Sequence, residues 1–145
     1  MNFDADIVLA KSSSIRKCLQ TIREVRSQGD ALQEWLVQDV TVLNLQRAVQ
    51  ACLDLANHLI AANGWELPRS ARHSMEILVG NKVLQAEALP ALLGMVGFRN
   101  IAVHNYAELD LAVVEALARD HLVDIETFAA AVIRATLDKA PLSNE

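Results

Sequence analysis

From Leu89 to Val103 the chain reads LPALLGMVGFRNIAV. At ~100° per residue this leaves Arg99 and Asn100 as the only polar side chains on a helix with apolar neighbours all around. A helix of that kind is normally buried on every side, so the fold must supply other elements to surround it. It also strands Arg99, whose desolvation must be offset by an anion or a carboxylate. The helix contains no acid, so that partner has to come from elsewhere in the fold, from a second subunit or from a ligand. His104 closes the run, and the only tyrosine of the chain, Tyr106, follows two residues later.

The remaining segments have the same period. Three prolines, five glycines and no period-2 alternation flanked by turn signals leave nothing that argues for a strand. A first helix is expected over roughly Ala5–Arg26, with Ile15, Cys18, Leu19, Ile22 and Val25 on one stripe. Gln28-Gly29-Asp30 ends it. A second helix is expected after Asp30 as N-cap, open to a break near Val37–Asp39, and stopped by Asn63-Gly64. On its second half Asn44, Gln46, Arg47, Gln50, Asp54, Asn57 and His58 fall within about 160° of arc, which reads as a solvated face. Ser70 caps a short third helix that ends near Gly80-Asn81. The apolar helix begins near Ala86, with Pro90 tolerated in its first turn. Asp110 caps a last helix, Leu111 to about Leu137, whose apolar face is Val114, Leu117, Leu122, Ile125, Phe128 and Val132. The expected fold is all-α, an up-and-down bundle of about five helices forming one domain over residues 1–140, with a frayed tail at 141–145.

The chain is long enough, at 145 residues, to bury a core without metal or disulfide staples. A hydrophobic fraction of 52% against 21% charged residues leaves apolar surface over, which points to at least a dimer. Cys18 and Cys52 form no CxxC or Cys/His pattern, and the acidic start Met1–Asp6 is no secretory n-region; a reducing cytoplasm fits both. The apolar run Ala88–Phe98 is about half of the ~20 residues that span a bilayer, so no membrane partner is expected. A net charge of −5 excludes broad, non-specific grip on nucleic acid and leaves only local basic groups for such a role.

Arg99 and His104 lie five apart, so on an ideal helix they diverge by about 140° and share a site awkwardly within one subunit. Two copies paired around this helix bring both arginines and both histidines to one cleft, and close backbone approach there accounts for Gly94 and Gly97. In such a cleft a guanidinium holds a phosphodiester, and a histidine, with an ordinary pKa near ~6.5, takes and returns a proton. This is a sufficient kit for metal-independent RNA cleavage by the substrate's own 2′-hydroxyl. DNA is then refractory, the product carries a 2′,3′-cyclic phosphate, and no cofactor or metal is needed. The plainer alternative is a histidine favourably placed at a helix C-terminus and an arginine stem lying on apolar surface.

Gly97-Phe98-Arg99-Asn100-Ile101-Ala102-Val103-His104-Asn105-Tyr106 resembles the signature of the HEPN superfamily, an arginine, a polar residue and then a histidine, in the longer HxY form of the HepT-like toxins. Leu9-Ala10-Lys11 with Ser14-Ile15-Arg16, Gln38-Asp39, Asn44–Ala48 and Asp54–Ile60 are similar to that family as well, so the resemblance covers most of the chain. It implies a homodimeric helical endoribonuclease toxin with Arg99 and His104 of each subunit in a composite site. It also implies an antitoxin partner, a minimal nucleotidyltransferase of the MntA type, that transfers AMP to Tyr106. Added phosphate and adenosine there would block the RNA cleft and repel its phosphates. Asn100 matches the polar position of the motif and, at i, i+4, could orient His104. The chain has no Gly-Ser followed by Asp-x-Asp, so it is not itself the nucleotidyltransferase.

Two other readings compete. One is a non-catalytic helical partner that docks on a nucleotidyltransferase or binds a nucleotide; the other is a structural bundle in which Arg99 pairs with an internal acid. His73 and His121 read as surface or capping residues, Arg69, Arg72 and Lys82 as scattered solvated charge, and Trp35 and Trp65 as core or interface anchors rather than base-stacking platforms.

Overall fold

A computed structural model describes residues 4–139, and these hold six α-helices and no strand. The expected tail, 141–145, lies outside the described residues. The helices are α1 (Ala5–Ser27), α2 (Glu34–Ala62), α3 (Ala71–Gly80), α4 (Leu89–His104), α5 (Leu111–Asp120) and α6 (Leu122–Lys139). Asp4 caps α1 by accepting from the amides of Asp6 and Ile7, Ser70 caps α3 through His73, and Asp110 caps α5 through Ala112. Asn63 ends α2 and Gly64 follows at φ +65°, the left-handed conformation that glycine adopts without strain.

Three expectations change. Asp30 does not cap α2: it sits in a 3-10 turn, Gly29–Ala31, and α2 begins after Gln33, which makes no side-chain cap. The break near Val37–Asp39 is absent, and α2 runs unbroken for 29 residues, about 43 Å. The last helix is two helices, making six rather than five. Its apolar positions step by five between Leu117 and Leu122, which on one straight helix would turn the second stripe about 140° from the first. Ending α5 at His121 lets both stripes face inward, with His121 Nδ1 2.8 Å from Asp124 at the start of α6.

The strongest packing is α1 against α2, and the pair is antiparallel: the Asp4 amide donates to His58, and Lys11 meets Asp54. α3 lies on the second half of α2, where Ser74 donates to Asn57. α4 then runs back along α2, so that its end comes beside Asp39. α6 closes the bundle against α1 and α2. One continuous core results, in which Ile15, Ile22, Leu55, Leu78, Ile125 and Phe128 are almost wholly enclosed.

The helical stretch Ala86–His104 reaches 19 residues at a mean hydropathy of 1.2, longer than the run counted from sequence and, by length and composition alone, enough to cross a bilayer. Leu92, Met95, Val96, Phe98 and Ala102 nevertheless insert into the core, so it packs as a core helix with one face uncovered.

Two arginine–glutamate pairs tie α1 to the last helices. Arg23 reaches Glu126 with two guanidinium nitrogens, each at 3.0 Å, and Arg26 likewise holds Glu115 through two nitrogens. The arginine hydrogen bonds hold both glutamates below the ordinary carboxylate range. A depressed folded-state pKa gives stability that is present above the unfolded value, ~4.3, and is lost as pH falls through the folded one. Because both pairs are substantially exposed, each is worth about 0.2–1 kcal/mol. The urea midpoint should therefore fall slightly between pH ~6 and pH ~3, and Glu126→Gln should lessen that fall, as should high salt. An identical fall in Glu126→Gln at low salt would remove this pair from the account.

Candidate active site at the end of α4

Pro90 begins α4 within its first turn, and from there apolar residues recur at the spacing that seats one face on the core. The opposite face is left uncovered by the described residues. Gly94, Gly97, Asn100 and His104 are exposed on it, as are Ile101 at 43% and Val103 at 41%. The helix is thus buried on one side only, a correction to the expectation of burial all round. A methyl group added at Gly94 or Gly97 would meet nothing among the described residues. The close approach expected at those glycines is one between two copies, and among the described residues the space beside them is open.

Arg99 lies at the edge of that face, half-buried. Its Nη1 donates to Asn100 Oδ1 at 3.1 Å, while its Nε is buried without a hydrogen-bond partner. Among the described residues no carboxylate lies within ion-pair distance of it. The internal acid required by the structural-bundle reading is therefore absent from the described residues. A buried guanidinium nitrogen without a partner is costly in a folded chain, and its remaining donors form a planar fork suited to an oxyanion.

His104 is the last residue of α4, and the backbone leaves the helix at Asn105 (φ −154°, ψ 59°). The imidazole is exposed. Among the described residues it is joined by no hydrogen bond to Asn100 or Arg99: Asn100 turns toward Arg99 instead of His104. The structure thus brings Arg99 and Asn100 together, places His104 at the helix end beyond them, and leaves both nitrogens of the histidine open to a ligand.

Tyr106 begins a 3-10 turn, Tyr106–Glu108, and is 53% exposed. Its hydroxyl donates to Asp39 Oδ1 on α2 at 3.3 Å. Partial burial, reinforced by the charge and the hydrogen bond of Asp39, raises the phenol above its ordinary pKa. Sequence reasoning does not single out Asp39 as a site residue. It stands 67 positions from Tyr106, and only the antiparallel return of α4 along α2 makes them neighbours.

The polar arc of α2 is only in part the solvated face expected of it. Asn44 is buried, Asp54 binds Lys11 at 2.8 Å and Gln50 at 2.9 Å, and His58 and Asn57 accept from α1 and α3. Between α1 and α2 it walls a 580 Å³ groove lined by Lys11, Lys17, Arg47 and Asp54 over Cys18. Cys18 and Cys52 are free, buried thiols, both pushed up in pKa by burial. His73 is buried rather than superficial; its Nδ1 accepts from the Arg69 amide at 2.9 Å and fastens the connector before α3. His121 ends α5 as a capping residue. Arg72 is spent on Glu76, Trp65 packs against the core, and Trp35 is 61% exposed.

Comparison with known proteins gives this geometry a context. Residues 14–132 match the family described as Ribonuclease HepT-like. A curated relative, the mRNA nuclease HepT of Shewanella oneidensis, is 39% identical over 124 residues, covering 85% of this chain and 93% of that protein. A solved structure of the tri-AMPylated Shewanella oneidensis HEPN toxin in complex with MNT antitoxin superposes at a TM-score of 0.81 with 39% identity, covering 93% of this chain and 99% of that one. A crystal structure of a toxin–antitoxin with AMP-PNP matches at 0.80 with 37% identity, covering 91% and 99%. The cytosolic protein YutE of Bacillus subtilis, at 21% identity and a TM-score of 0.69, shares the fold. With the family profile covering most of the chain and a relative well above the identity that marks common descent, this protein belongs to the HepT-like ribonuclease family.

Proposed function

We propose that this chain is the toxin of a two-component system: a homodimeric, cytoplasmic, metal-independent endoribonuclease whose Arg99 and His104 act at a composite cleft. A minimal nucleotidyltransferase antitoxin neutralises it by AMPylation of Tyr106. The observation that carries the reading is Arg99, a half-buried guanidinium with an unpartnered Nε and no facing carboxylate among the described residues, at the end of a helix that keeps an apolar face uncovered. A second copy laid on Gly94, Gly97 and Ile101 covers that face and brings a second Arg99 and His104 to the same cleft. The phosphodiester then supplies the missing anion. Arg99 stabilises charge on the phosphoryl oxygens as it develops, His104 moves the proton between the 2′-hydroxyl and the leaving oxygen, and the 2′-hydroxyl requirement excludes DNA. Family membership and the toxin–antitoxin relatives support the same assignment.

The deciding experiment measures intact mass and RNA cleavage of the protein made alone and made with a cognate nucleotidyltransferase. The expected result is cleavage that persists in EDTA when the protein is made alone. Co-expression should add steps of ~329 Da on Tyr106 and abolish cutting. Growth should slow on expression of the free protein and recover with the antitoxin. Stable RNA at stoichiometric protein, together with an unchanged mass, would leave a non-catalytic partner of the nucleotidyltransferase as the better reading.

A further inference from the structure

We propose that Asp39 is the general base for AMPylation of Tyr106, so that the toxin itself supplies the carboxylate that takes the phenolic proton. This rests on the reading of Tyr106 as the modified residue. The contact is long-range and directional: Asp39 stands in the second turn of α2, and its Oδ1 accepts from the Tyr106 hydroxyl at 3.3 Å. The tyrosine is not free to swing there by chance. It starts a turn closed by backbone hydrogen bonds from Glu108 to Asn105 and from Leu109 to Tyr106. Asp39 is also uncommitted. Asp4, Asp110 and Asp124 are occupied by caps or a histidine, and Asp54, Glu115 and Glu126 by cations. Asp39 is exposed and has Tyr106 as its one hydrogen-bond partner among the described residues.

The chemistry requires such a group. At neutral pH the phenol is protonated and a poor nucleophile, and its surroundings hold it further from ionisation. An aspartate that accepts a hydroxyl proton while oxygen attacks phosphorus is the arrangement by which protein kinases activate their substrates. Here the same group sits on the acceptor protein. In the step itself, with ATP bound to the nucleotidyltransferase as co-reactant, a bond forms between Tyr106 Oη and the α-phosphorus. The bond from that phosphorus to the bridging oxygen breaks, and pyrophosphate leaves with the electron pair. The phenolic proton passes to Asp39 and then to water. Once esterified, the oxygen can no longer donate to Asp39, and the new phosphate repels the carboxylate. The adduct is thereby released from α2.

The test uses the full chain with a cognate nucleotidyltransferase, ATP and Mg2+, following the first addition to Tyr106 by intact mass over a range of pH. Asp39→Asn keeps the size and an acceptor oxygen but cannot take the proton; it should slow the addition at least tenfold at neutral pH. The deficit should narrow as alkali ionises the phenol directly, and Asp39→Glu should recover part of the rate. A second readout is independent of the partner: because the chain has one tyrosine, its phenolate absorbance reports Tyr106 alone, and Asp39→Asn should lower the titration midpoint. Equal rates for wild type and Asp39→Asn overturn the proposal. So does a deficit of the same size at every pH, which marks Asp39 as a mere tie between α2 and the turn. If wild-type Tyr106 receives no adduct while another residue does, the reading of Tyr106 fails, and this inference fails with it.

Discussion

His104→Ala should lower RNA cleavage by about 10²–10⁴-fold while changing stability by no more than ~0.5 kcal/mol. The two halves of that expectation come from the same facts. His104 is exposed, ends α4, and makes no hydrogen bond within the described residues, so its truncation leaves neither a cavity nor an orphaned partner. What it removes is the one imidazole beside the helix end, the group to which the proposed reaction assigns the proton transfer. Single-turnover cleavage rates beside urea unfolding curves decide the matter. A rate within threefold of wild type would show that the histidine moves no proton in the reaction, whereas a matching loss of stability would return it to the role of a helix-terminal residue.

The elements are legible in the sequence where local chemistry specifies them. Ser70, Asp110 and Asn63-Gly64 mark helix ends because caps and left-handed turns act over three or four residues. The step of five between Leu117 and Leu122 is equally visible, and read for phase it announces the break at His121. Other features depend on tertiary packing, which no window of sequence contains. The long α2 survives the weak segment near Val37–Asp39 because α1 lies along it. The polar arc of α2 looks solvated in sequence because its partners, Lys11, Asp4 and Ser74, come from α1 and α3. The same limit explains the candidate site. Arg99, Asn100, His104 and Tyr106 are consecutive enough to be noticed together, yet Asn100 faces Arg99 rather than the histidine, and Asp39 enters only through the antiparallel return of α4.

Arg99→Lys should reduce cleavage by about 10²–10³-fold, the usual cost of removing a donor aimed at developing oxyanion charge. The fold should hold, with stability equal to wild type or slightly above it. In a bundle held together by an internal ion pair the expectation would be reversed, because removing one partner strands the other charge and costs several kcal/mol. Here no carboxylate faces Arg99 among the described residues, and its Nε already lies buried without a partner. The guanidinium is therefore a burden to the unliganded chain, one that the phosphodiester of the proposed function would relieve. Lysine keeps the positive charge and much of the apolar stem but loses the planar fork, so it separates bidentate recognition of a phosphodiester from simple attraction. Comparable cleavage rates for wild type and Arg99→Lys would reduce the residue to a point charge. A collapse of stability would mean that Arg99 serves the fold, and the composite-cleft chemistry would lose its phosphate-binding group.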